Sequence, residues 1–193
     1  MHVSGDEQQK AKQPELRATI TSDELNSLPL KAFSGKVNVI TDPDMIASAA
    51  REILIRNLTY AAARLKAARI RLLIEPINTR DIPGFFLSGT RQAIDVIDAV
   101  GSDNLFLQYD IYHMQIMEGD VIRTIRDNQQ WIAHYHTGGV PGRNEIDGSQ
   151  ELNYPAIVRA ITDTGFSGYM AHEFIPKRDP LTSLRDAVAL CEI

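Results

Sequence analysis

Four side chains able to bind a divalent metal stand at the ends of four successive apolar runs. Glu75 follows Leu72-Leu73-Ile74, Asp110 follows Leu105 to Tyr109, His136 ends the run from Trp131, and Glu173 lies in the run from Gly168 to Phe174. Three carboxylates and one neutral imidazole carry a formal charge of −3 between them. Held together without a cation they repel, and some take up protons. A bound dication removes that conflict. Oxygen-rich ligation with a single histidine points to Mg²⁺ or Mn²⁺. Taken singly, a carboxylate at a strand end is more often a cap for the helix that follows. It is the run of four, in register, that favours a metal site.

The neighbours sharpen the pattern. Pro76 ends a sheet ladder just where the Glu75 side chain has to be aimed. Asp110 and His113 form an Asp-x-x-His pair beyond a strand. His134 and His136 are two apart and share one strand face, with only His136 needed at the rim; His134 reads as a hydrogen-bonded interior histidine. His172 adjoins Glu173 and points to the opposite face, which makes it structural. Thr137 to Arg143 reads as a flexible, glycine-rich loop presenting one cation. Arg143 is either a two-point clamp for a substrate carboxylate or an ordinary solvated surface arginine.

These residues need a scaffold that brings strand ends together. The order strand, helix, strand, helix runs from Lys36 to the C-terminus. Helices are expected to start at Asp42-Pro43, Tyr154-Pro155 and Asp179-Pro180, over Arg91–Val100 and over Val121–Asn128, with Gly101 as a stop. Five strands are expected to end near Ile40, Glu75, Asp110, His136 and Glu173. Such alternation implies a parallel sheet covered by helices. The near-even spacing fits a β/α barrel better than a doubly wound sheet, and no glycine-rich phosphate loop follows any strand. A complete barrel has eight strands and ~250 residues. The expectation is therefore an α/β fold, a partial (β/α) TIM barrel of about five parallel strands over 35–193, preceded by a polar, poorly ordered tail over 1–34 in which Ser22 to Leu25 opens a short helix at most.

Composition sets the outer bounds. The 193 residues are 44% apolar and 23% charged, the balance of an ordinary globular domain. A net charge of −5 gives no general attraction for nucleic acid. The single cysteine, Cys191, excludes an internal disulfide and a cysteine-based zinc site, and packs in a C-terminal helix. No apolar run reaches the length of a membrane span, and the polar start lacks the apolar core of a secretion signal. A cytoplasmic location is expected.

Longer motifs carry a family resemblance. Ile74-Glu75-Pro76-Ile77-Asn78 with Asp81-Ile82-Pro83-Gly84-Phe85-Phe86-Leu87 resembles the fifth-strand segment of hydroxypyruvate isomerases. Gln108 to Gly119 is similar to their sixth-strand signature nearly residue for residue. Val140 to Glu145 and Glu151 to Tyr154 resemble the loop and helix start after strand seven, and His172 to Pro176 the end of strand eight. The resemblance covers about residues 36–193. It implies the xylose-isomerase-like barrel superfamily, with units 4 to 8 present and three leading β/α units missing. It also implies metal ligation by Glu75, Asp110, His136 and Glu173, and substrate contacts from His113 and Arg143. Several hydroxypyruvate isomerases carry glutamine where this chain has His136, and ketose epimerases carry histidine, so the exact substrate stays open between them.

The implied reaction interconverts hydroxypyruvate and tartronate semialdehyde, an aldose–ketose-type isomerisation through an enediolate. Glu75 and Glu173 are expected to move the carbon-bound proton, one removing it and the other returning it. A hydride shift would want a second metal and a nearby lysine, and no lysine adjoins these strand ends. The partner is then a small hydroxy- or oxo-acid or sugar. One alternative is a related keto-sugar or 2-oxo-sugar-acid isomerase or epimerase. Another is an inactive, truncated remnant whose open sheet edges lead it to self-associate as a homo-oligomer. A two-metal or three-zinc nuclease of the same superfamily would need several more histidine ligands than the rim offers.

Overall fold

The computed structural model describes residues 43–192. The expected tail over 1–34, the expected strand ending near Ile40 and Asp42 at the expected helix start lie outside the described residues. Among those described, four strands form one parallel sheet in the order β1-β2-β3-β4: Leu72–Ile74, Leu105–Asp110, Ile132–Thr137 and Tyr169–His172. Six helices, α1 to α6, span Pro43–Ala67, Thr90–Val100, Ile111–Met117, Val121–Asn128, Tyr154–Asp163 and Pro180–Cys191. No described helix is long and apolar enough to cross a membrane.

Most element boundaries have the local causes read from the sequence. Gly101 ends α2 at φ 64, the left-handed conformation that a residue without Cβ adopts freely. Asn153 caps α5 and Asp179 caps α6, each followed by a proline in the first turn. β1 stops at Ile74, so Glu75 and Pro76 already lie past the ladder. The helix α3 was not expected. It starts directly at the end of β2, with Asp110 as its cap.

The core lies between the sheet and the helices. Leu105, Leu107 and Tyr109 of β2 and Tyr135 of β3 are buried among Ala93, Val96, Met114, Ile125, Ile157 and Ile161 of the helices. Each of the Leu, Ile, Val and Met side chains among them contributes roughly 1.5–3 kcal/mol by leaving water. Alternation along β2 puts Phe106, Gln108 and Asp110 on the other face. One strand thus anchors the fold with one set of residues and presents polar groups with the next.

Candidate metal centre at the rim of the sheet

The register of β2 and β3 pairs Asp110 with His136. Both side chains leave the sheet at one height and on one face. Glu75 joins from one residue past β1, and Glu173 from one residue past β4. The Glu173 backbone is fixed by its N–H donating to the Thr137 carbonyl at 2.9 Å. One donor atom from each of Glu75, Asp110, His136 and Glu173 lies within 4.8 Å of every other. The structure therefore brings together the four residues that the sequence placed at successive strand ends.

Their present contacts are those of charges held in place without a full set of donors. His136 Nδ1 lies 2.8 Å from Glu173 Oε2 and 3.7 Å from Glu75 Oε1. Gln108 Nε2 donates to Glu75 Oε2 at 2.8 Å. Glu75 Oε1 and Asp110 Oδ2 are buried with no hydrogen-bond partner. A buried polar oxygen left unmet costs about 1–3 kcal/mol, and more if charged. Burial, then the nearby Asp110 and Glu173 carboxylates, push the Glu75 carboxyl up to about 7, against the opposing pull of His136 and the Gln108 hydrogen bond. Two orphaned oxygens, a further carboxylate and an imidazole form a donor set that fits Mg²⁺ or Mn²⁺.

Asp110 serves as both cap and candidate ligand. Its Oδ1 accepts from Tyr112 N at 2.8 Å and His113 N at 3.4 Å, closing the first turn of α3. That leaves Oδ2 facing the cluster, 3.5 Å from both His113 Nε2 and Arg143 Nη2. The side chain is only 1% exposed, whereas Glu173 is 51% exposed at the open side of the site.

His113 is buried, with Nδ1 facing Asn78 and Nε2 facing Asp110. Arg143 pairs with Glu173 at 2.9 Å, and its guanidinium lies 5.2 Å over the Tyr112 ring. The flexible loop expected around it is instead held at several points. Gly139 and Asn144 form an antiparallel bridge, Ile175 N donates to the Arg143 carbonyl at 2.7 Å, and Asn144 Nδ2 donates to the Ile175 carbonyl at 2.8 Å. Arg143 itself sits at φ 53, an uncommon conformation for a residue with a Cβ and one found at ligand sites. The hydroxyl of buried Tyr154 clamps the start of the loop, accepting from Gly138 N at 3.0 Å and donating to Gly138 O at 2.8 Å.

The other histidines lie beside the site. His134 is half-buried and meets the His136 ring edge-on at 5.0 Å; the sequence reading had its ring hydrogen-bonded in the interior. His172 Nδ1 lies 2.9 Å from Thr137 Oγ1, away from the four-residue cluster. Sequence reasoning gave no role to Gln108, Asn78, Asp81 or Tyr112. Gln108 could have been found from its spacing, two residues before Asp110 on the same strand face.

The description "Xylose isomerase-like TIM barrel" belongs to the family model that matches residues 4–192, a match that also takes in the segment ahead of Lys36. The chain is 45% identical over 132 residues to hydroxypyruvate isomerase of Escherichia coli (strain K12), covering 68% of this chain and 51% of that protein. It is 39% identical over 127 residues to 2-oxo-tetronate isomerase of Cupriavidus necator, covering 66% and 48%. A solved structure titled AP endonuclease, family 2, from Brucella melitensis superposes with a TM-score of 0.71 at 34% identity, covering 74% of this chain and 55% of that one. The chain thus spans about half the length of the curated relatives it matches.

Proposed function

Because this chain belongs to the xylose isomerase-like TIM barrel family, we propose that its rim is the metal-assisted site of an isomerase that interconverts hydroxypyruvate and tartronate semialdehyde. The observation that carries the reading is the convergence of Glu75, Asp110, His136 and Glu173 to within 4.8 Å, two of them with buried, unpartnered oxygens. The names of the two curated relatives, both isomerases of small oxo-acids, support it.

A Mg²⁺ or Mn²⁺ ion held by these four residues would supply Lewis-acid stabilisation of the negative charge that develops on the substrate oxygens. The residues do the rest. One of Glu75 and Glu173 takes the proton from the hydroxymethyl carbon, and the other delivers a proton to the neighbouring carbon of the enediolate. The hydroxyl proton passes between the two oxygens, so the product is an isomer with no net change in protons or electrons. His113, with Nε2 turned toward Asp110, donates to a substrate oxygen. Arg143, held over Tyr112, receives the carboxylate. Its present partners are Glu173 and Asp110, two of the four residues that would hold a dication.

The experiment is to follow hydroxypyruvate in D₂O by proton NMR with the Mn²⁺-loaded protein. The expected result is tartronate semialdehyde with solvent deuterium on carbon. Absence of conversion removes the assignment, and conversion without deuterium removes the proton-transfer step.

His136 favours a second reading, an isomerase or epimerase acting on a longer keto-sugar or 2-oxo-sugar acid, to which the Cupriavidus necator relative's name also points. Arg143→Ala separates acidic from neutral substrates, because its rate loss falls on carboxylate-bearing substrates alone if Arg143 binds the acid group. Comparing kcat/KM for hydroxypyruvate with that for a 2-oxo-sugar acid separates the two acids. The endonuclease title of the Brucella melitensis structure finds less support here, since the described cluster offers one histidine among its four residues.

A further inference from the structure

We propose that Asn78 is a positioning residue that locks His113 in the tautomer with its proton on Nε2, facing Asp110 and the metal-capable cluster. The inference deepens the isomerase reading and rests on it for its catalytic meaning, while the tautomer itself stands on geometry.

Asn78 is fully buried, one residue beyond the Pro76-Ile77 stretch that follows Glu75. Its Oδ1 accepts from the backbone N–H of Asp81 at 2.8 Å. A backbone N–H can only donate, so this contact settles which end of the amide is oxygen. The NH₂ must then face the other way. One of its hydrogens goes to Asp81 Oδ2 at 3.0 Å and the other to His113 Nδ1 at 2.7 Å. The Asn78 backbone N–H points at the same ring nitrogen from 3.3 Å. Two donors and no acceptor meet Nδ1, so that nitrogen presents a lone pair. A neutral imidazole with a bare Nδ1 carries its hydrogen on Nε2.

The direction of that hydrogen matters for the site. Nε2 lies 3.5 Å from Asp110 Oδ2, on the side where the four candidate ligands meet. In the locked tautomer the ring offers a donor there and can bind a substrate oxygen. In the opposite tautomer a lone pair would confront the Asp110 carboxylate, and no donor would remain for substrate. Asp81 is the brace behind this arrangement. It holds both ends of the Asn78 amide, and its Oδ2 also accepts from Tyr112 Oη at 2.6 Å, beneath Arg143. The two expected substrate-side groups are thus positioned by one exposed carboxylate.

The test is nitrogen-15 NMR of the histidine-labelled full chain above the imidazole titration range, with the His113 signals identified by their loss in His113→Gln. The expected wild-type spectrum shows Nδ1 unprotonated and Nε2 protonated. Asn78→Asp offers Nδ1 an acceptor and is expected to place a proton on it, and Asn78→Ala is expected to give mixed tautomers. Both variants should keep Mn²⁺ affinity within a few-fold while the isomerisation kcat falls about 10- to 100-fold, the usual cost of losing a group that orients a site residue. A wild-type His113 protonated on Nδ1, or a His113 spectrum unchanged in Asn78→Asp, overturns the inference without need of any activity. A locked tautomer in a protein that isomerises nothing supports the inference and removes the isomerase reading.

Discussion

Asp110 stands opposite His136 across the β2–β3 ladder while its other oxygen closes the first turn of α3. The cap fixes the carboxylate's rotation, and the ladder fixes its height, so Oδ2 has one place to point. Asp110→Asn keeps a capping oxygen but loses the charge. It is expected to leave the metal-free protein as stable as wild type, or more so, and to remove the thermal stabilisation by Mn²⁺. Asp110→Ala loses the cap as well and is expected to cost about 0.5–2 kcal/mol in urea unfolding. If the Asn variant still gains stability from Mn²⁺ as wild type does, Asp110 is only a cap.

Helix α2 has no cap of its own, because Gly89 carries no side chain. Glu118 supplies one from a distance, accepting from Thr90 N at 2.6 Å and from Thr90 Oγ1 at 2.8 Å. Thr90 is buried, so Glu118→Ala would orphan two donors and is expected to destabilise the chain by about 1–3 kcal/mol. Mn²⁺ affinity should not change. Chemical denaturation beside a metal titration checks both halves.

Glu145 ties the Arg143 loop to the segment after β4. Burial pushes its carboxyl up, but hydrogen bonds from its own backbone N–H, Ser183, Arg178 and Lys177 outweigh this and hold it down at about 2. The folded value lies below the ordinary 4.5, so the stabilisation is complete above that pH and fades as pH falls from 4.5 toward 2. Glu145→Gln should therefore be less stable than wild type at neutral pH, with the gap closing in that acid window. A gap that stays constant down to pH 2.5 or widens on acidification contradicts the assignment.

Among the described residues, the four strands and most helices were legible because each has a local cause. Apolar runs such as Leu72-Leu73-Ile74 suit a sheet, and Asn153-Tyr154-Pro155 and Asp179-Pro180 are start signals that need no tertiary context. The four candidate ligands were legible because strand ends in a parallel sheet share one rim. Helix α3 was not, since β2 passes into it with no turn residue between Asp110 and Ile111. Nor was the fixing of Arg143. The bonds that Arg143 and Asn144 make to Glu173 and Ile175 span some thirty residues, and glycine content alone suggested mobility. Asn78 was visible only as a motif letter, because its role depends on where His113 arrives.

Gly139 sits where that loop bends back. A Cβ there would run into the Glu145 carbonyl oxygen and come within 3.0 Å of the Asn144 carbonyl oxygen, both backbone atoms that cannot step aside cheaply. Gly139→Ala is expected to break the Gly139–Asn144 bridge and displace Arg143. The predicted signature is a rise in KM for an acidic substrate of tenfold or more, about 1.4 kcal/mol of lost binding, with Mn²⁺ affinity largely kept. An unchanged KM would show that Arg143 does not hold the carboxylate.

On this reading Glu75, Asp110, His136 and Glu173 close around one dication. Calorimetric titration of the metal-free chain with Mn²⁺ tests it most directly, using wild type, His136→Ala and Glu75→Gln. One ion per chain is expected for wild type, with affinity at least about tenfold weaker in each variant. Absence of saturable binding, or equal affinity in all three proteins, would contradict it.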